Sequence, residues 1–416
     1  MDTAKQYELA REQFAAYGVD TDKAIEKALA VPVSLHCWQG DDVTGFENPN
    51  GELTGGIQAT GNYPGKARNP AELRADIEKV LSFVPGAAKV SLHATYLDTD
   101  SPVARDQLEP KHFSRWVDWA KDQKIGLDFN ETFFSHALSG DFSLSNADPS
   151  IRKFWVEHAK CCRRIGESFG KATGQTCFTN LWIHDGCKEV PVDCIAPRAR
   201  LIESLDEIFA EPIDQTCNRD TLESKLFGIG SESYVTGSHE FYMGYCTSRQ
   251  KMLTLDTGHF HPTELVSGKI SALLQFLPEL MLHVSRPVRW DSDHVVIMDD
   301  ELMAIMNEIV RAGAEDRIHI GLDYFDASIN RIAAWTVGAR NARKALLRAY
   351  LEPTDLLKKC EIEGDNSSVL ALKEEIKSLP WGIVWDYLCD KTEKYVGKSW
   401  LDETKKYEAE VTSKRI

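Results

Sequence analysis

Residue types that bind metal ions recur at the ends of short apolar runs in the second half of this sequence. Carboxylates and imidazoles are costly to bury unless they are paired or bind a cation. A single acid in such a place is usually a helix cap or a salt-bridge partner. Five runs with the same pattern instead predict a metal site at one end of a barrel. The runs are Leu222–Leu226, Leu255–His259, Leu282–His283, Trp290–His294 and Gly321–Asp323.

The spacing of these residues predicts which of them share a face. Residues two apart in a strand point the same way, so Glu223 with Lys225, and Asp291 with Asp293, are predicted to enter the barrel mouth together. Lys225 adds positive charge, which helps a reaction that develops negative charge on a substrate oxygen. A simple salt bridge between Lys225 and Glu223 is the alternative interpretation.

The candidate ligands supply oxygen and imidazole nitrogen atoms and include no cysteine. Such a set favours Mn²⁺, Mg²⁺ or Co²⁺ over a thiolate zinc site, although Zn²⁺ also accepts these donors, and we expect manganese first. The candidates outnumber the ligands that one ion normally takes, so we expect two neighbouring ions. We expect Glu223, Asp256, His283 and Asp323 to form one site and His259, Asp291 and Asp293 to form the other.

The elements that position these residues alternate along the chain. Runs rich in Val, Leu, Ile and aromatic residues predict strands, and helical patterns lie between them, several with Pro in the first turn. This alternation predicts an α/β fold, a (β/α)8 TIM barrel with a C-terminal helical extension, rather than an open doubly wound sheet. The predicted strands are Val31–Trp38, Lys89–Tyr96, Gly126–Asn130, Cys177–Ile183, Glu223–Ile229, Lys251–His259, Met281–Arg286 and Ile318–Tyr324. The predicted helices include Pro70–Phe83, Pro110–Asp122, Pro149–Phe169, Pro197–Ala210, Pro262–Phe276 and Asp299–Ala312.

The chain divides into two predicted parts. Residues 1–350 are predicted to form the catalytic barrel, with an N-terminal helix and a Gly-rich segment, residues 39–69, that acts as a mobile lid over the barrel mouth. Residues 351–416 are predicted to form a helical extension that contains the apolar cluster Leu379–Trp385. Exposed Trp residues in this cluster predict an oligomer contact, and packing on the chain's own barrel is the alternative.

Composition narrows the classes of partner. The net charge of −16 argues against nucleic-acid binding and favours divalent cations near an acidic cleft. The longest apolar stretch, residues 270–284, is interrupted by Gln275, Pro278 and Glu279, so no membrane span is predicted. The first residues lack a signal-peptide pattern, and the ten cysteines show no CxxC spacing. We therefore expect a cytoplasmic protein with reduced thiols.

Long motifs surround the candidate ligands. They are His36–Asp42, Thr54–Tyr63, Glu223–Lys225, Phe241–Tyr245, Asp256–Pro262, Ser285–His294 and Gly321–Asn330. These motifs resemble the L-rhamnose isomerase family, within the wider xylose isomerase-like barrel group, and the resemblance covers almost the whole chain. It implies a metal-dependent aldose–ketose isomerase that interconverts L-rhamnose and L-rhamnulose and assembles as a homotetramer.

The resemblance also implies a role for each set of ligands. Glu223, Asp256, His283 and Asp323 match a structural site, for which we expect Zn²⁺ or Mn²⁺. His259, Asp291 and Asp293 match a catalytic site, for which we expect Mn²⁺. His261 is a rival to His259 because it lies two residues further along the chain, but the family motif favours His259.

The implied reaction is a metal-assisted 1,2-hydride shift that follows opening of the sugar ring. Asp323, or a metal-bound hydroxide beside it, is expected to move the hydroxyl proton. Lys225 is expected to stabilise the developing oxyanion, and His93 to bind the sugar and assist ring opening. An enediol route with a carboxylate base is the alternative mechanism. A satisfied structural histidine is the alternative interpretation of His93.

Aromatic residues are predicted to cover the methyl end of the sugar. We expect Trp38, Phe129 and Trp182 to bind substrate beside Lys225 and His93, although each aromatic ring is equally consistent with ordinary core. Two departures from the family motifs, His184 and Glu131, lie near the expected pocket and leave open a related aldose isomerase with a broader sugar range. A metal-dependent phosphodiesterase on the same fold and a non-catalytic metal-binding scaffold are further alternatives. The acidic charge disfavours the phosphodiesterase.

Overall fold

A closed parallel barrel forms the centre of the protein. The structure, a computed structural model, describes residues 3–48, 51, 53–226, 228 and 230–415. The strands are β1 (Val33–His36), β2 (Ala88–His93), β3 (Gly126–Asn130), β4 (Cys177–Trp182), β5 (Gly186–Cys187), β6 (Asn218–Glu223), β7 (Tyr234–Val235), β8 (Met252–Asp256), β9 (Leu280–Val284) and β10 (Ile318–Leu322). Eight of them close the barrel in the order β1-β10-β9-β8-β6-β4-β3-β2, while β5 and β7 form a separate antiparallel pair.

Helices surround the barrel, and the predicted (β/α)8 architecture is confirmed. They are α1 (Thr3–Ala15), α2 (Thr21–Ala30), α3 (Pro70–Leu81), α4 (Ser114–Gln123), α5 (Pro149–Thr173), α6 (Ile195–Ala210), α7 (His239–Arg249), α8 (Ser267–Leu273), α9 (Asp300–Arg311), α10 (Arg331–Tyr350), α11 (Thr354–Glu363), α12 (Asn366–Glu375), α13 (Trp381–Lys391) and α14 (Ser399–Glu410). Pro70 and Pro149 open their helices as predicted, and the side chains of Asn69 and Asp148 cap them.

Several predicted boundaries differ from the observed ones. The predicted strand Glu223–Ile229 is wrong, because β6 ends at Glu223 rather than beginning there. Phe227 and Ile229, which were part of that prediction, lie outside the described residues. The predicted helix Pro262–Phe276 is shorter in the structure, where α8 spans only Ser267–Leu273. In both cases the sequence pattern continued past the residues that form the strand or the helix in the structure.

The Gly-rich segment lies across the barrel mouth and is fastened to the start of α10. The Arg331 guanidinium holds the Asp42 carboxylate through two hydrogen bonds of 2.7 Å and donates to the Tyr63 carbonyl at 2.6 Å. Gly61 has a φ of +119°, and a Cβ there would lie 2.3 Å from the Ala327 backbone, so only glycine fits this crossing. Residues 49, 50 and 52 of the predicted lid lie outside the described residues, and its movement stays a prediction.

The C-terminal extension packs on the N-terminal helices of the same chain. Tyr387 of α13 stacks on Tyr7 of α1 at 3.8 Å, and Trp385 is only 4% exposed in a cluster with residues of α1, α2 and α10. The expectation of exposed Trp residues is therefore wrong for Trp385, while Trp381 is half-buried. Packing on the same chain is what the structure contains, and an oligomer contact through this extension stays a prediction. Among the described residues, no helix combines the length and the apolar character needed to cross a membrane.

Candidate active site

Four side chains converge at the carboxyl end of the barrel. Glu223 is the last residue of β6, Asp256 the last of β8, His283 lies near the end of β9, and Asp323 directly follows β10. His283 Nδ1 lies 3.1 Å from Glu223 Oε2 and 3.3 Å from Asp323 Oδ2. One ligand atom from each residue lies within 4.8 Å of the others. Parallel strands deliver their last residues to one edge, which is why this predicted set comes together.

A second group lies beside the first and shares one residue with it. His259 Nε2 lies 3.2 Å from Asp291 Oδ2, and these two residues cluster with Asp256. The expected partner Asp293 is not part of this cluster, although it borders the same cavity. Asp256 therefore belongs to both groups. His261, the rival of His259, is exposed and hydrogen-bonded to Thr263, and belongs to neither group.

Asp291 and Asp293 lie on a loop, so the prediction that strand alternation aligns them is wrong. Strand β9 ends at Val284, and the following loop is closed by a bridge between Arg286 and His294. Within it, Arg289 and Asp293 have φ values of +71° and +45°, a conformation that residues with a Cβ adopt rarely. This turn, and not a shared strand face, directs Asp291 toward His259.

Lys225 also lies beyond the end of its strand but still reaches the mouth. Its Nζ atom lies 2.7 Å from Asp291 Oδ2 and 5.0 Å from the centre of the Trp182 ring. The alternative of a salt bridge between Lys225 and Glu223 is therefore wrong, since the structure gives Asp291 as the partner. Burial alone would lower the pKa of Lys225, but Asp291 raises it, so the ammonium group keeps its charge.

The electrostatics of the two groups suit a divalent cation. Asp256 Oδ2 and Asp291 Oδ1 are buried without a hydrogen-bond partner among the described residues. Burial, together with the nearby Glu223 and other carboxylates, raises the pKa of Asp256 well above its usual range. Burial opposes charge on His283 as well, yet Glu223 and Asp323 raise its pKa. Packing so many acids at one point is costly unless positive charge joins them, and a hard cation with oxygen and imidazole donors fits this set.

A cavity of about 140 Å³ opens directly above these groups. Trp38, His93, Trp182 and Lys225, four of the predicted substrate-binding residues, border it. Phe129 does not: its ring packs on Phe113 and Phe169 at 5.2 and 5.5 Å, between the barrel and its helices. The prediction for Phe129 is wrong because its neighbour Asn130 faces inward and strand alternation sends Phe129 outward.

Several residues that border the cavity were not predicted. Phe134, Trp290, Phe325 and residues of the Gly-rich segment form part of the cavity wall. Asn180 was also missed: its amide donates to Glu223 Oε2 at 2.5 Å and to Asn130 Oδ1 at 3.0 Å. The available signal was its position two residues before Trp182, on the same face of β4.

His93 and the two departures from the family motifs have different surroundings. His93 Nδ1 lies 3.1 Å from Thr132 Oγ1, and burial, followed by the nearby His283, lowers the pKa of His93 to about 3. Its imidazole is therefore neutral.

Glu131 borders the cavity as a buried carboxyl, and burial raises its pKa well above the usual range. His184 bonds the Gly140 carbonyl at 2.9 Å and packs against Gly55 of the Gly-rich segment.

The fold and the site together define a (β/α)8-barrel enzyme with a candidate metal centre at the carboxyl ends of its strands. Residues 1–415 match the L-rhamnose isomerase (RhaA) family. The L-rhamnose isomerases of Salmonella paratyphi B and Salmonella newport are each 58% identical to the chain over 410 residues, which cover 98% of both proteins. The chain belongs to the L-rhamnose isomerase family and is an intramolecular oxidoreductase of the isomerase class.

Solved structures that superpose on the chain are more distant. D-psicose 3-epimerase from Clostridium cellulolyticum H10 is 14% identical, with a TM-score of 0.47, and the match covers 78% of this chain and 97% of that one. An L-ribulose 3-epimerase is 13% identical, also with a TM-score of 0.47, over 79% of this chain and 97% of that one.

Proposed function

We propose that this protein interconverts L-rhamnose and L-rhamnulose in a reaction that depends on divalent cations. The main support for this proposal is a pair of overlapping ligand groups beneath an aromatic-lined cavity. The groups are Glu223–Asp256–His283–Asp323 and Asp256–His259–Asp291. Family membership over residues 1–415 supports the choice of sugar. The homotetramer implied by the family resemblance is part of the proposal and is tested by light scattering.

Two ions are proposed. Glu223, Asp256, His283 and Asp323 would hold a structural Zn²⁺ or Mn²⁺. His259 and Asp291 would hold a catalytic Mn²⁺ together with Asp293, which the family resemblance adds and which borders the same cavity. Asp256 and Asp291 each have a buried oxygen that accepts no hydrogen bond among the described residues, which supports this assignment because such oxygens are costly to bury without a cation. When bound, a divalent cation supplies Lewis-acid polarisation of the sugar carbonyl and lowers the pKa of the adjacent hydroxyl.

The chain's own residues supply orientation, proton transfer and exclusion of water. His93 borders the cavity with a lowered pKa, which supports a role for its neutral imidazole in hydrogen bonding to the sugar ring and assisting its opening. Asp323 carries the hydroxyl proton, and the Lys225 ammonium stabilises negative charge on the substrate oxygen. Trp38, Trp182 and Phe134 provide apolar surface for the methyl end of the sugar.

The test is ketose formation from a panel of aldoses by the purified protein. Before the assay the protein is treated with chelator, and Mn²⁺ or Zn²⁺ is then added back separately. We expect L-rhamnose to give the highest kcat/KM, no turnover after chelation, and recovery with Mn²⁺. Full activity in the chelated protein would contradict the cation requirement, and preference for another aldose would contradict the sugar assignment.

A further inference from the structure

The indole of Trp38 binds the carboxylate of Asp323. Trp38 Nε1–H donates to Asp323 Oδ1 over 2.9 Å. Trp38 is 2% exposed, whereas the Asp323 side chain is 20% exposed toward the cavity. The apolar role predicted for Trp38 therefore describes only part of what it does. Its single polar side-chain atom donates to a carboxylate of the site.

This hydrogen bond divides the two oxygens of Asp323 between different partners. The indole occupies Oδ1, while Oδ2 lies 3.3 Å from His283 Nδ1 inside the first cluster. A carboxylate just beyond the end of a strand rotates freely unless another group holds it. The indole can hold it because a hydrogen bond to a charged acceptor is stronger than one between neutral groups. Trp38 therefore holds one oxygen of Asp323 toward Glu223 and His283.

Strand pairing and hydrogen bonds hold the turn that carries Trp38. It lies in the 3-10 turn Cys37–Gln39 directly after β1, which pairs with β10 in the barrel. The next residue, Gln39, donates to the Asp326 carbonyl at 3.0 Å and accepts from the Asp326 backbone N–H at 2.8 Å. Two successive residues, Trp38 and Gln39, therefore connect the turn after β1 to the segment after β10 by hydrogen bonds. The edge of the Trp38 ring also packs on His93 at 4.6 Å.

We propose that Trp38 is a positioning residue for Asp323. Its indole N–H fixes the carboxylate in the orientation that both the ligand group Glu223–Asp256–His283–Asp323 and the proton transfer require. This inference rests on the proposed function, since it gives Trp38 a task within that reaction. Groups that orient the ligands of a metal typically contribute about 10- to 100-fold in metal affinity or activity.

The decisive experiment replaces Trp38 by 3-benzothienylalanine, which keeps the shape of the ring but has sulfur in place of the N–H group. We expect Mn²⁺ affinity, measured by calorimetry without sugar, to fall about 10- to 100-fold, and kcat to fall with little change in KM. Trp38→Phe should show the same loss of affinity, together with a higher KM from the smaller ring.

Trp182 supplies the matched control, because it borders the same cavity and its indole Nε1 has no hydrogen-bond partner among the described residues. The same replacement at position 182 should leave Mn²⁺ affinity within about twofold of the unmodified protein. An unchanged affinity and kcat at position 38, or an equal loss of affinity at both positions, would overturn the inference. Because the calorimetry needs no turnover, a protein that binds Mn²⁺ but does not isomerise L-rhamnose would refute the proposed function separately.

Discussion

The Nζ atom of Lys225 lies 2.7 Å from Asp291 Oδ2, and the same oxygen lies 3.2 Å from His259 Nε2. Burial alone would raise the pKa of Asp291, but Lys225 and His259 hold it well below the usual range. One oxygen of Asp291 is therefore committed to the chain's own cations, and the other is left without a partner. This arrangement places a fixed positive charge beside the group expected to hold the catalytic ion.

The first prediction concerns Lys225→Met, which keeps the aliphatic stem and removes the charge. We expect kcat to fall about 10²- to 10³-fold, because a donor to the developing oxyanion is lost. Mn²⁺ affinity should not fall, since a competing cation leaves Asp291. Steady-state kinetics and calorimetry measure the two effects. Lys225→Arg, which keeps the charge but changes its geometry, should retain more activity than the Met variant. An unchanged kcat in Lys225→Met would remove the residue from the mechanism.

The second prediction separates the two groups of ligands. His283 belongs to a barrel strand, whereas Asp291 lies on a loop, and Asp256 belongs to both groups and is unsuitable for the comparison. We expect His283→Ala to lower both Tm and the ratio of bound metal to protein, because that ion joins several strand ends. Asp291→Asn should abolish turnover with a smaller change in Tm. Equal losses of Tm in the two variants would remove the distinction between structural and catalytic ions.

The convergence of residues at the strand ends could be predicted from the sequence. Glu223, Asp256, His283 and Asp323 came together because residues at the ends of parallel strands converge whatever the connecting loops do. Positions beyond the strands could not be placed in this way. The Asp291 and Asp293 side chains depend on the left-handed backbone at Arg289 and Asp293, for which the sequence offers no glycine as a signal.

The direction in which individual side chains point was the other feature that the sequence did not reveal. Phe129 was assigned to the pocket on residue type alone, although the inward position of Asn130 directs it to the helices. The hydrogen bond from Trp38 to Asp323 joins residues 285 positions apart in the chain, and no local pattern encodes such a contact. A sequence motif identified both residues but not the bond between them.

The third prediction tests the Gly-rich segment. Gly61→Ala places a methyl group within 2.3 Å of the Ala327 backbone at a φ of +119°, so this crossing of the barrel mouth must shift. If the segment excludes water as proposed, its displacement should lower kcat/KM for L-rhamnose at least about tenfold with an unchanged metal content. Gly244→Ala is the control, since this helical glycine faces open space. Normal kinetics in Gly61→Ala would make the segment a passive loop.

The fourth prediction concerns Asp41, where the same segment begins. Tyr96 O–H donates to its Oδ1 at 2.6 Å and the Gly45 N–H to its Oδ2 at 2.7 Å, yet burial raises the pKa of Asp41 from 3.8 to about 7. Between these two pH values the folded state holds a proton that the unfolded chain has lost, so this group's contribution to stability falls as pH rises, by at most about 1.4 kcal/mol per pH unit.

Asp41→Asn imitates the protonated carboxyl and should remove this pH dependence. We expect the free energy of unfolding of the variant, relative to the unmodified protein, to increase between pH 4 and pH 7. Urea unfolding of the metal-free proteins at several pH values measures the difference. Asp118→Asn, at an exposed position on α4, is the control for loss of a carboxylate. A difference that does not change with pH would show that Asp41 is ionised throughout this range.

The last prediction follows one hydrogen atom. Lys225 and the ligand groups border the cavity. Under the proposed mechanism they hold the oxygens of the open-chain sugar, and the hydrogen on C2 passes directly to C1 without meeting solvent. A carboxylate base such as Asp323 would instead carry the hydrogen as a proton and exchange it, since its side chain is 20% exposed at the mouth. Conversion of L-rhamnose in D₂O, stopped early and examined by NMR at C1 of the ketose, distinguishes the two routes. We expect negligible deuterium at C1. Substantial incorporation at early conversion would rule out an exclusive hydride shift and return Asp323 or another carboxylate to the role of general base.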